Sequence, residues 1–252
     1  MINFSGQRVV ITGATGGVGR ALVETFKACG AEIVAYDVQD ADFSNLEVQE
    51  IHRFDLTDTD AMRKATAATC QDKQPPVAII NNAGWTRAET IKDVTPQALD
   101  YELDLNFRAV AALSQEFLPI MRQHGGNFVF ISSLNALAHF GNPAYAAAKA
   151  GLLAWSRAIA TEEGRNKIRS NAIVPGSIRT SAWTDRLVAD PALADRLEVL
   201  YPLGRFVFPK EVAQTAAFLA SSLASGITGV TLPVDAGISA GNLPFFDEIS
   251  KL

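Results

Sequence analysis

The stretch that decides the fold is RVVITGATGGVGR, residues 8–20. An apolar, β-branched run typical of a buried strand leads into a glycine-rich turn that opens a helix. Glycines at such a turn let the backbone approach a pyrophosphate, whose charge is met by amides at the helix N-terminus. No Gly-Lys-Ser/Thr follows, which excludes a P-loop, and the Gly-x-Gly-x-x-Gly spacing is absent. On its own, the turn fits dinucleotide binding or a simple tight turn.

Strand and helix patterns alternate outward from this turn to both ends of the chain. Strands are predicted at Arg8–Thr12, Glu32–Tyr36, Val77–Asn81, Phe128–Ile131 and Ile168–Val174, with shorter ones near Ile51–Phe54 and Val230–Val234. This alternation predicts an α/β fold in which helices cover both faces of a parallel sheet. Without a linker or repeat, residues 1–252 are expected to form a single domain. The long non-periodic stretch at about 177–208, which includes Trp183, is predicted to be a substrate lid.

Composition narrows the classes of function. The 252 residues carry 22 basic and 27 acidic side chains, a net charge of −5, and no basic stripe, which argues against a nucleic-acid partner. Cys29 and Cys70 have no disulfide or metal spacing, and the three histidines have no ligand spacing, so no metal site is expected. The N-terminus lacks the apolar core of a signal peptide and no segment suits a membrane span. We therefore expect a cytoplasmic protein without a membrane partner.

An acidic residue follows the glycine turn at the end of the second predicted strand. Asp37 lies twenty residues after Gly17, where a carboxylate can accept hydrogen bonds from an adenosine ribose. The same carboxylate would repel a 2′-phosphate, and no basic residue stands at Thr15, Gly16 or Val38 to bind one. The sequence therefore favours NAD as cofactor over NADP.

Tyr145 and Lys149 lie four residues apart in a predicted helix, so both project from one face. A free tyrosine titrates near ~10, too high for a base at neutral pH. A neighbouring ammonium, together with the positive nicotinamide of an oxidised cofactor, would favour the phenolate. The pair predicts a tyrosine whose pKa is lowered for proton transfer; alone, the same spacing also suits a packed aromatic beside a solvated amine.

The motifs occur in a recognisable order along the chain. They are Thr12-Gly13-x-x-x-Gly17-x-Gly19, Asn81-Asn82-Ala83-Gly84, Asn106, Ser132-Ser133, Tyr145-x-x-x-Lys149 and Pro175-Gly176. With this set the sequence resembles the short-chain dehydrogenase/reductase family over essentially its whole length. The resemblance implies a doubly wound Rossmann-like fold of about seven parallel strands and hydride transfer between a nicotinamide cofactor and an alcohol or carbonyl carbon. It also implies a homotetramer or a homodimer.

The resemblance also implies roles for individual residues. Tyr145 would move the hydroxyl proton, Lys149 would lower its pKa and bind the nicotinamide ribose, and Asn106 would hold a water linking Lys149 to solvent. The family's interval from Tyr145 gives Ser132 as the substrate-binding serine, whereas alignment on the preceding strand gives Ser133. We choose Ser133 because the two-residue period of a strand fixes which of its side chains point to the same face of the sheet. The expected cofactor contacts are Gly13, Thr15, Gly17, Val18, Gly19, Asp37, Asp55, Leu56, Asn82, Ala83, Gly84, Tyr145, Lys149, Pro175, Gly176, Ile178 and Thr180.

The sequence thus predicts an NAD-dependent oxidoreductase that interconverts a small secondary alcohol and its ketone. Polar groups at Asn135, His139, Asn142 and Ser177 favour a hydroxylated substrate such as a polyol, sugar or hydroxy acid. Two alternatives stay open: an NADPH-dependent ketoacyl or carbonyl reductase, and a non-catalytic dinucleotide sensor on the same fold.

Overall fold

The computed structural model describes residues 1–87, 90–180 and 188–251. Seven parallel strands form one sheet in the order β3-β2-β1-β4-β5-β6-β7. Their bounds are β1 Arg8–Thr12, β2 Glu32–Asp37, β3 Glu50–Arg53, β4 Ala78–Asn81, β5 Gly126–Ile131, β6 Ile168–Pro175 and β7 Thr231–Val234. This is the doubly wound, Rossmann-like arrangement of helices around a seven-stranded parallel sheet that the motif order implied.

The helices connect the strands and cover both faces of the sheet. They are α1 Gly17–Ala28, α2 Thr59–Cys70, α3 Pro96–Leu103, α4 Ala109–His124, α5 Pro143–Glu163, α6 Leu193–Glu198, α7 Pro209–Ala220 and α8 Leu243–Ile249. Between α3 and α4 the chain forms one π-helical turn, Asp104–Arg108, so helical structure continues from Pro96 to His124 with one wider turn.

Alternation along the strands divides the core into two layers. On β1, Val9 and Ile11 pack towards α1 and α7, whereas Val10 packs towards α2, α4 and α5. Because every residue of β1 and β4 is buried, these strands read as unbroken apolar runs in the sequence. β1 pairs in parallel with both β2 and β4, and the order in which successive strands are added to the sheet reverses at this point. The carboxyl ends of β1 and β4 therefore flank the switch point where ligands bind in open α/β sheets.

Residues near the two ends of the stretch at 177–208 contact each other beside the carboxyl end of β6. Ile178 and Val207 form an isolated parallel bridge, in which the Arg179 amide donates to the Val207 carbonyl at 2.8 Å. The Tyr201 hydroxyl donates to Ser177 Oγ at 2.8 Å. Trp183, which the sequence placed in the lid, lies outside the described residues. The two ends of the predicted lid are thus held together beside β6.

Candidate active site

A crevice of about 720 Å³ opens at the carboxyl ends of the strands, across the switch point. Every expected cofactor contact except Gly19 lines it, namely Gly13, Thr15, Gly17, Val18, Asp37, Asp55, Leu56, Asn82, Ala83, Gly84, Tyr145, Lys149, Pro175, Gly176, Ile178 and Thr180. Residues that follow five different strands thus meet at one edge of the sheet.

The glycine turn is shaped by close approaches that a side chain would block. A Cβ on Gly13, whose φ is +62°, would lie 2.9 Å from the Ala83 Cα, and one on Gly17 would lie 2.8 Å from Thr180 Cγ2. Among the described residues no side chain caps the first turn of α1 and none in that turn is acidic, so that helical turn itself supplies no carboxylate to compete with a bound anion. This turn suits the pyrophosphate of a dinucleotide.

Gly19 has a different place, beneath the turn. A Cβ there would lie 1.9 Å from the Gly13 carbonyl oxygen and 2.8 Å from the Ala14 Cα. Gly19 therefore lets α1 pack directly against the turn and does not line the crevice, contrary to its expected cofactor contact.

Side-chain hydrogen bonds hold the ends of β1 and β4 together below the crevice. Thr12 Oγ1 accepts from the amides of Asn82 at 3.0 Å and Ala83 at 2.9 Å. Asn82 Nδ2 donates in return to the carbonyl oxygens of Thr12 and Gly13, both at 3.0 Å. Asn82 thus acts on the crevice by fixing the turn as well as by lining it.

Asp37 faces the glycine turn from the end of β2. One carboxylate oxygen accepts from the Thr15 amide at 2.8 Å and hydroxyl at 2.9 Å, and the other accepts from the Val38 amide at 2.9 Å. The second oxygen keeps a lone pair for a further donor. The carboxylate is therefore held at the crevice wall in a position to accept from a ribose hydroxyl.

Arg20 is a basic residue beside the same turn that the sequence reasoning did not weigh. Its guanidinium donates to the carbonyl oxygens of Thr15 at 3.0 Å, Asp42 at 2.6 Å and Ser44 at 3.2 Å. It does not line the crevice, because these backbone acceptors hold it against the loop after β2. The position of Arg20, directly after Gly19 of the glycine turn, could have indicated from the sequence that it contacts the turn.

Tyr145, Ser133 and Lys149 meet at the other end of the crevice. The Lys149 Nζ lies 5.5 Å from the centroid of the Tyr145 ring. Ser133 lines the same part of the crevice, and its side chain acts to lower the pKa of Tyr145. Ser132 points elsewhere: its buried hydroxyl donates to the Lys149 carbonyl oxygen at 2.9 Å. The two consecutive serines therefore have separate partners, as the alternation of a strand end requires.

Burial dominates the acid–base properties of this cluster. Desolvation in the crevice raises the pKa of Tyr145 to about 12, with the charge of Glu102 adding to it and the Ser133 hydrogen bond opposing it. Desolvation likewise lowers the pKa of Lys149 to about 8, against the pull of Glu102. The Lys149 ammonium donates to the Ile131 carbonyl oxygen at 3.0 Å. Without cofactor, the pKa of Tyr145 is therefore raised and not lowered as the sequence led us to expect.

Asn106 lies behind the crevice wall, fully buried in the π-helical turn. Its amide exchanges two hydrogen bonds with the backbone of Trp85, one from Nδ2 to the carbonyl at 2.8 Å and one from the Trp85 amide to Oδ1 at 3.1 Å. A Cβ on Gly84 would lie 2.8 Å from Asn106 Oδ1 and 3.1 Å from Lys149 Nζ. Asn106 does not line the crevice, but only the width of Gly84 separates it from the lysine.

Aromatic residues form the wall beside Tyr145. Trp85 and Tyr101 stack edge to face with centroids 5.5 Å apart, and both line the crevice together with Leu105. Tyr101 and Leu105 were missed by the sequence reasoning, although they are four residues apart, about one helical turn, and Leu105 directly precedes Asn106. No cluster of metal-ligating side chains occurs within the ranges that the structure describes. In those same ranges no helix has the length and apolar character to cross a membrane.

Comparison with known proteins places the chain in a family. Residues 13–239 match the family profile described as enoyl-(acyl carrier protein) reductase. An uncharacterized oxidoreductase of Schizosaccharomyces pombe is 35% identical over 246 residues, covering 96% of this chain and 94% of the relative.

Solved structures show the same architecture. An oxidoreductase of the short-chain dehydrogenase/reductase family from Burkholderia thailandensis is 34% identical, with a TM-score of 0.90 and 98% of both chains covered. A gluconate 5-dehydrogenase from Burkholderia cenocepacia, in complex with NADP and tartrate, is 25% identical with a TM-score of 0.88, covering 95% of this chain and 98% of its own. The protein described here belongs to the short-chain dehydrogenase/reductase family, whose members are oxidoreductases that bind a nicotinamide dinucleotide.

Proposed function

We propose that this protein is an NAD-dependent oxidoreductase that interconverts a small secondary alcohol and its ketone. The observation that carries the proposal is the meeting of Tyr145, Ser133 and Lys149 at one end of a crevice whose other end is the glycine turn and Asp37. A dinucleotide laid along this crevice, from Asp37 to Lys149, would bring its nicotinamide end to the tyrosine hydroxyl.

The proposed chemistry divides between the cofactor and the chain. The nicotinamide dinucleotide accepts or supplies the hydride when bound. Tyr145 moves the hydroxyl proton, Ser133 hydrogen-bonds the substrate oxygen, and Lys149 holds the nicotinamide ribose and carries positive charge next to the tyrosine. Asn106 connects Lys149 to the solvent side through a water. Because Tyr145 is protonated at neutral pH without cofactor, it is prepared to act as an acid towards a ketone.

The preference for NAD rests on Asp37. Its carboxylate is held by Thr15 and Val38 at the crevice wall, where it would accept from the ribose and repel a 2′-phosphate. The related gluconate dehydrogenase was solved with NADP, so both cofactors need to be measured. Replacement of this single carboxylate tests the assignment directly.

We further propose a polar, hydroxylated substrate: a polyol, sugar or hydroxy acid. The relative named for gluconate and solved with tartrate acts as precedent for such compounds on this fold. In this chain, the wall next to Tyr145 offers the flat rings of Trp85 and Tyr101 beside the hydroxyl of Thr86. Aromatic faces together with hydrogen-bonding groups suit a ring or chain that carries both C–H and O–H groups.

The chain is proposed to act as one domain with a lid at about 177–208, in a homotetramer or homodimer in the cytoplasm. Exposed apolar groups support the assembly: Phe245 and Phe246 on α8 are 63% and 59% exposed, and Ala147, Ala150 and Ala154 form a small-residue stripe on α5.

The test is a cofactor-reduction screen of the purified protein against polyols, sugars, hydroxy acids and cyclic alcohols, with NAD and with NADP. For the best substrate, Tyr145→Phe should lower kcat by about 10²–10⁴ with little change in NAD binding, the range for a general acid–base group. Tyr36→Phe is the matched control, because its buried hydroxyl bonds Thr69 at 2.6 Å, away from the reacting end. A Tyr145→Phe enzyme that keeps wild-type turnover refutes the assignment.

The second candidate is an NADPH-dependent ketoacyl or carbonyl reductase. The matched profile, described for an acyl-carrier-protein reductase, favours it. It predicts oxidation of NADPH by acyl thioester analogues that exceeds any NAD-linked alcohol oxidation. A protein that binds dinucleotide and turns over no substrate in either screen would instead be the non-catalytic sensor.

A further inference from the structure

The β2–β3 loop, residues 38–49, borders the end of the crevice that contains Asp37. Its first residue, Val38, lines the crevice, and the loop forms neither helix nor strand. The backbone groups of such a loop need partners outside regular structure to hold one shape. Two guanidinium groups provide them, because Arg20 on α1 and Arg53 on β3 each donate to two carbonyl oxygens of the loop. Two basic side chains that do not line the crevice therefore shape one of its walls.

Arg20 also contacts the glycine turn, whereas no hydrogen bond of Arg53 within the described residues reaches it. The Nε of Arg20 donates to the Thr15 carbonyl oxygen at 3.0 Å, while Nη2 and Nη1 donate to those of Asp42 at 2.6 Å and Ser44 at 3.2 Å. One planar group thus spans the turn and the loop, which suits the fixed fork of donors on arginine. The Arg20 side chain is 35% exposed, so this contact does not require a fully buried charge.

The turn and the loop hold different oxygens of the Asp37 carboxylate. Thr15 of the turn donates to Oδ2 through its amide at 2.8 Å and its hydroxyl at 2.9 Å. Val38 of the loop donates its amide to Oδ1 at 2.9 Å. The direction in which the carboxylate points therefore depends on where the turn and the loop lie relative to each other.

Arg20 is what connects these two segments. The backbone ladder of β1 and β2 ends where the Gly13 amide donates to the Tyr36 carbonyl oxygen at 2.8 Å. Beyond that point, and apart from Asp37 itself, Arg20 is the only side chain among the described residues that hydrogen-bonds both the turn and the loop. Without it, the turn and the loop would be joined there only through the carboxylate that the cofactor has to bind.

We propose that Arg20 is a positioning residue for cofactor selectivity. By joining the glycine turn to the β2–β3 loop, it holds the Asp37 carboxylate where this group accepts from the adenosine ribose of NAD and repels the 2′-phosphate of NADP. The inference rests on the proposed assignment of Asp37 to that ribose. It adds that the choice of cofactor depends on a residue outside the crevice.

The dissociation constants of NAD and NADP, measured by isothermal titration calorimetry on the purified protein, test this inference without any substrate. In Arg20→Met the carboxylate and the loop have to be ordered when NAD binds, so the constant for NAD should rise about five- to tenfold, the cost of ordering a mobile side chain on binding. The constant for NADP should stay unchanged or fall, because a mobile carboxylate can turn away from the 2′-phosphate. An unchanged ratio of the two constants overturns the proposal.

Arg53→Met is the matched control. Arg53 is an exposed arginine that holds the same loop, at the carbonyl oxygens of Gln39 at 3.3 Å and Ala41 at 2.5 Å, and its Cζ lies 4.7 Å from the centroid of the Phe43 ring. Because it does not bridge to the turn, its loss should leave the ratio of the two constants close to that of wild type. An equal shift in Arg53→Met would show that a firmly held loop is sufficient, which overturns the role of the bridge.

Arg20→Lys separates the bridge from its charge. Lysine keeps the positive charge but offers one nitrogen in place of the three that arginine spreads across a planar fork. We therefore expect Arg20→Lys to shift the ratio in the same direction as Arg20→Met. A wild-type ratio in the lysine variant would show that the charge alone acts, which contradicts the proposal. This milder substitution also decides the question if Arg20→Met folds poorly.

If Arg20 acts through Asp37, substitutions of the two residues must be non-additive. In the Asp37→Ser background, Arg20→Met should leave the ratio of the two constants unchanged. A loss of NAD affinity by the same factor with and without the carboxylate would show a merely structural role and refute the proposal. With the substrate found in the screen, Arg20→Met should raise KM for NAD with little change in kcat.

The binding measurements also separate this inference from the proposed function. If the wild-type protein binds neither dinucleotide, the proposed function and this inference fail together. If the wild type binds NAD in preference to NADP and Arg20→Met keeps the same ratio, only the inference about Arg20 fails.

Discussion

Replacement of Lys149 by Met should make the protein more stable at neutral pH. The lysine pKa falls from 10.5 to about 8 on folding, a difference of 2.5 that corresponds to roughly 3 kcal/mol at 1.36 kcal/mol per pKa unit. Between pH 8 and 10.5 the unfolded chain holds more protons than the folded one, so the penalty is full below pH 8 and disappears as pH rises through 10.5. Loss of the hydrogen bond to Ile131 costs about 1 kcal/mol, leaving a gain of about 2 kcal/mol at pH 7.

The gain is measured as the difference in free energy of unfolding between variant and wild type, from urea denaturation at pH 7 and pH 10. Titration of other groups cancels in this difference, which should shrink with rising pH. Arg8→Met is the matched control: Arg8 is also buried but paired with Glu50 at 2.6 Å, so its loss should destabilise by roughly 3–5 kcal/mol. A Lys149→Met protein less stable than wild type at pH 7, or a gain that persists at pH 10, contradicts the burial argument.

Three further substitutions test other residues. Asp37→Ser should lower the ratio of kcat/KM with NAD to kcat/KM with NADP about tenfold, because it removes a repulsion of roughly 1–4 kcal/mol between the Asp37 carboxylate and the 2′-phosphate of NADP. An unchanged ratio would show that Asp37 does not contact the ribose. Ser133→Ala should reduce kcat at least about tenfold more than Ser132→Ala, whose hydroxyl bonds the Lys149 carbonyl; the reverse order would show that the strand alignment is wrong. Ala236→Gly should raise the free energy of unfolding by about 1 kcal/mol, because Ala236 has a φ of +53°, a left-handed conformation that strains a residue with a Cβ. A lower free energy of unfolding in urea denaturation would show that this position is not strained.

The fold could be predicted because its central strands carry an unambiguous signal. β1 and β4 are buried on both faces, so their sequences are continuous β-branched runs bounded by polar or glycine turns. The start of α5 was equally legible, since Pro143 occupies the first helical position, where its missing amide costs nothing. Parallel strands end at one edge, and the motifs that follow each strand are therefore brought together without further information.

What the sequence did not predict depends on helix phase and burial depth. The π-helical turn Asp104–Arg108 shifts the phase of the helix by one residue, so a regular 3.6-residue pattern does not show which side chains face the crevice. A regular pattern therefore could not show that Tyr101 lines the crevice whereas Asn106, within the π-helical turn, is buried behind its wall. The raised pKa of Tyr145 was missed because the number of atoms that exclude water around a hydroxyl is a property of the folded crevice, not of the spacing.

The acidity of Tyr145 connects cofactor binding to pH through thermodynamic reciprocity. If the positive charge of an oxidised nicotinamide lowers the pKa of this tyrosine from about 12, ionisation of the tyrosine must strengthen binding of the oxidised cofactor by the same factor. The reduced cofactor, which lacks that charge, gains nothing from the phenolate. Burial therefore does more than hinder ionisation: in a crevice that excludes water, the coupling between a phenolate and a bound cation is stronger than it would be at the surface. The same desolvation that makes Tyr145 a weak acid in the free protein makes its proton responsive to the redox state of the cofactor.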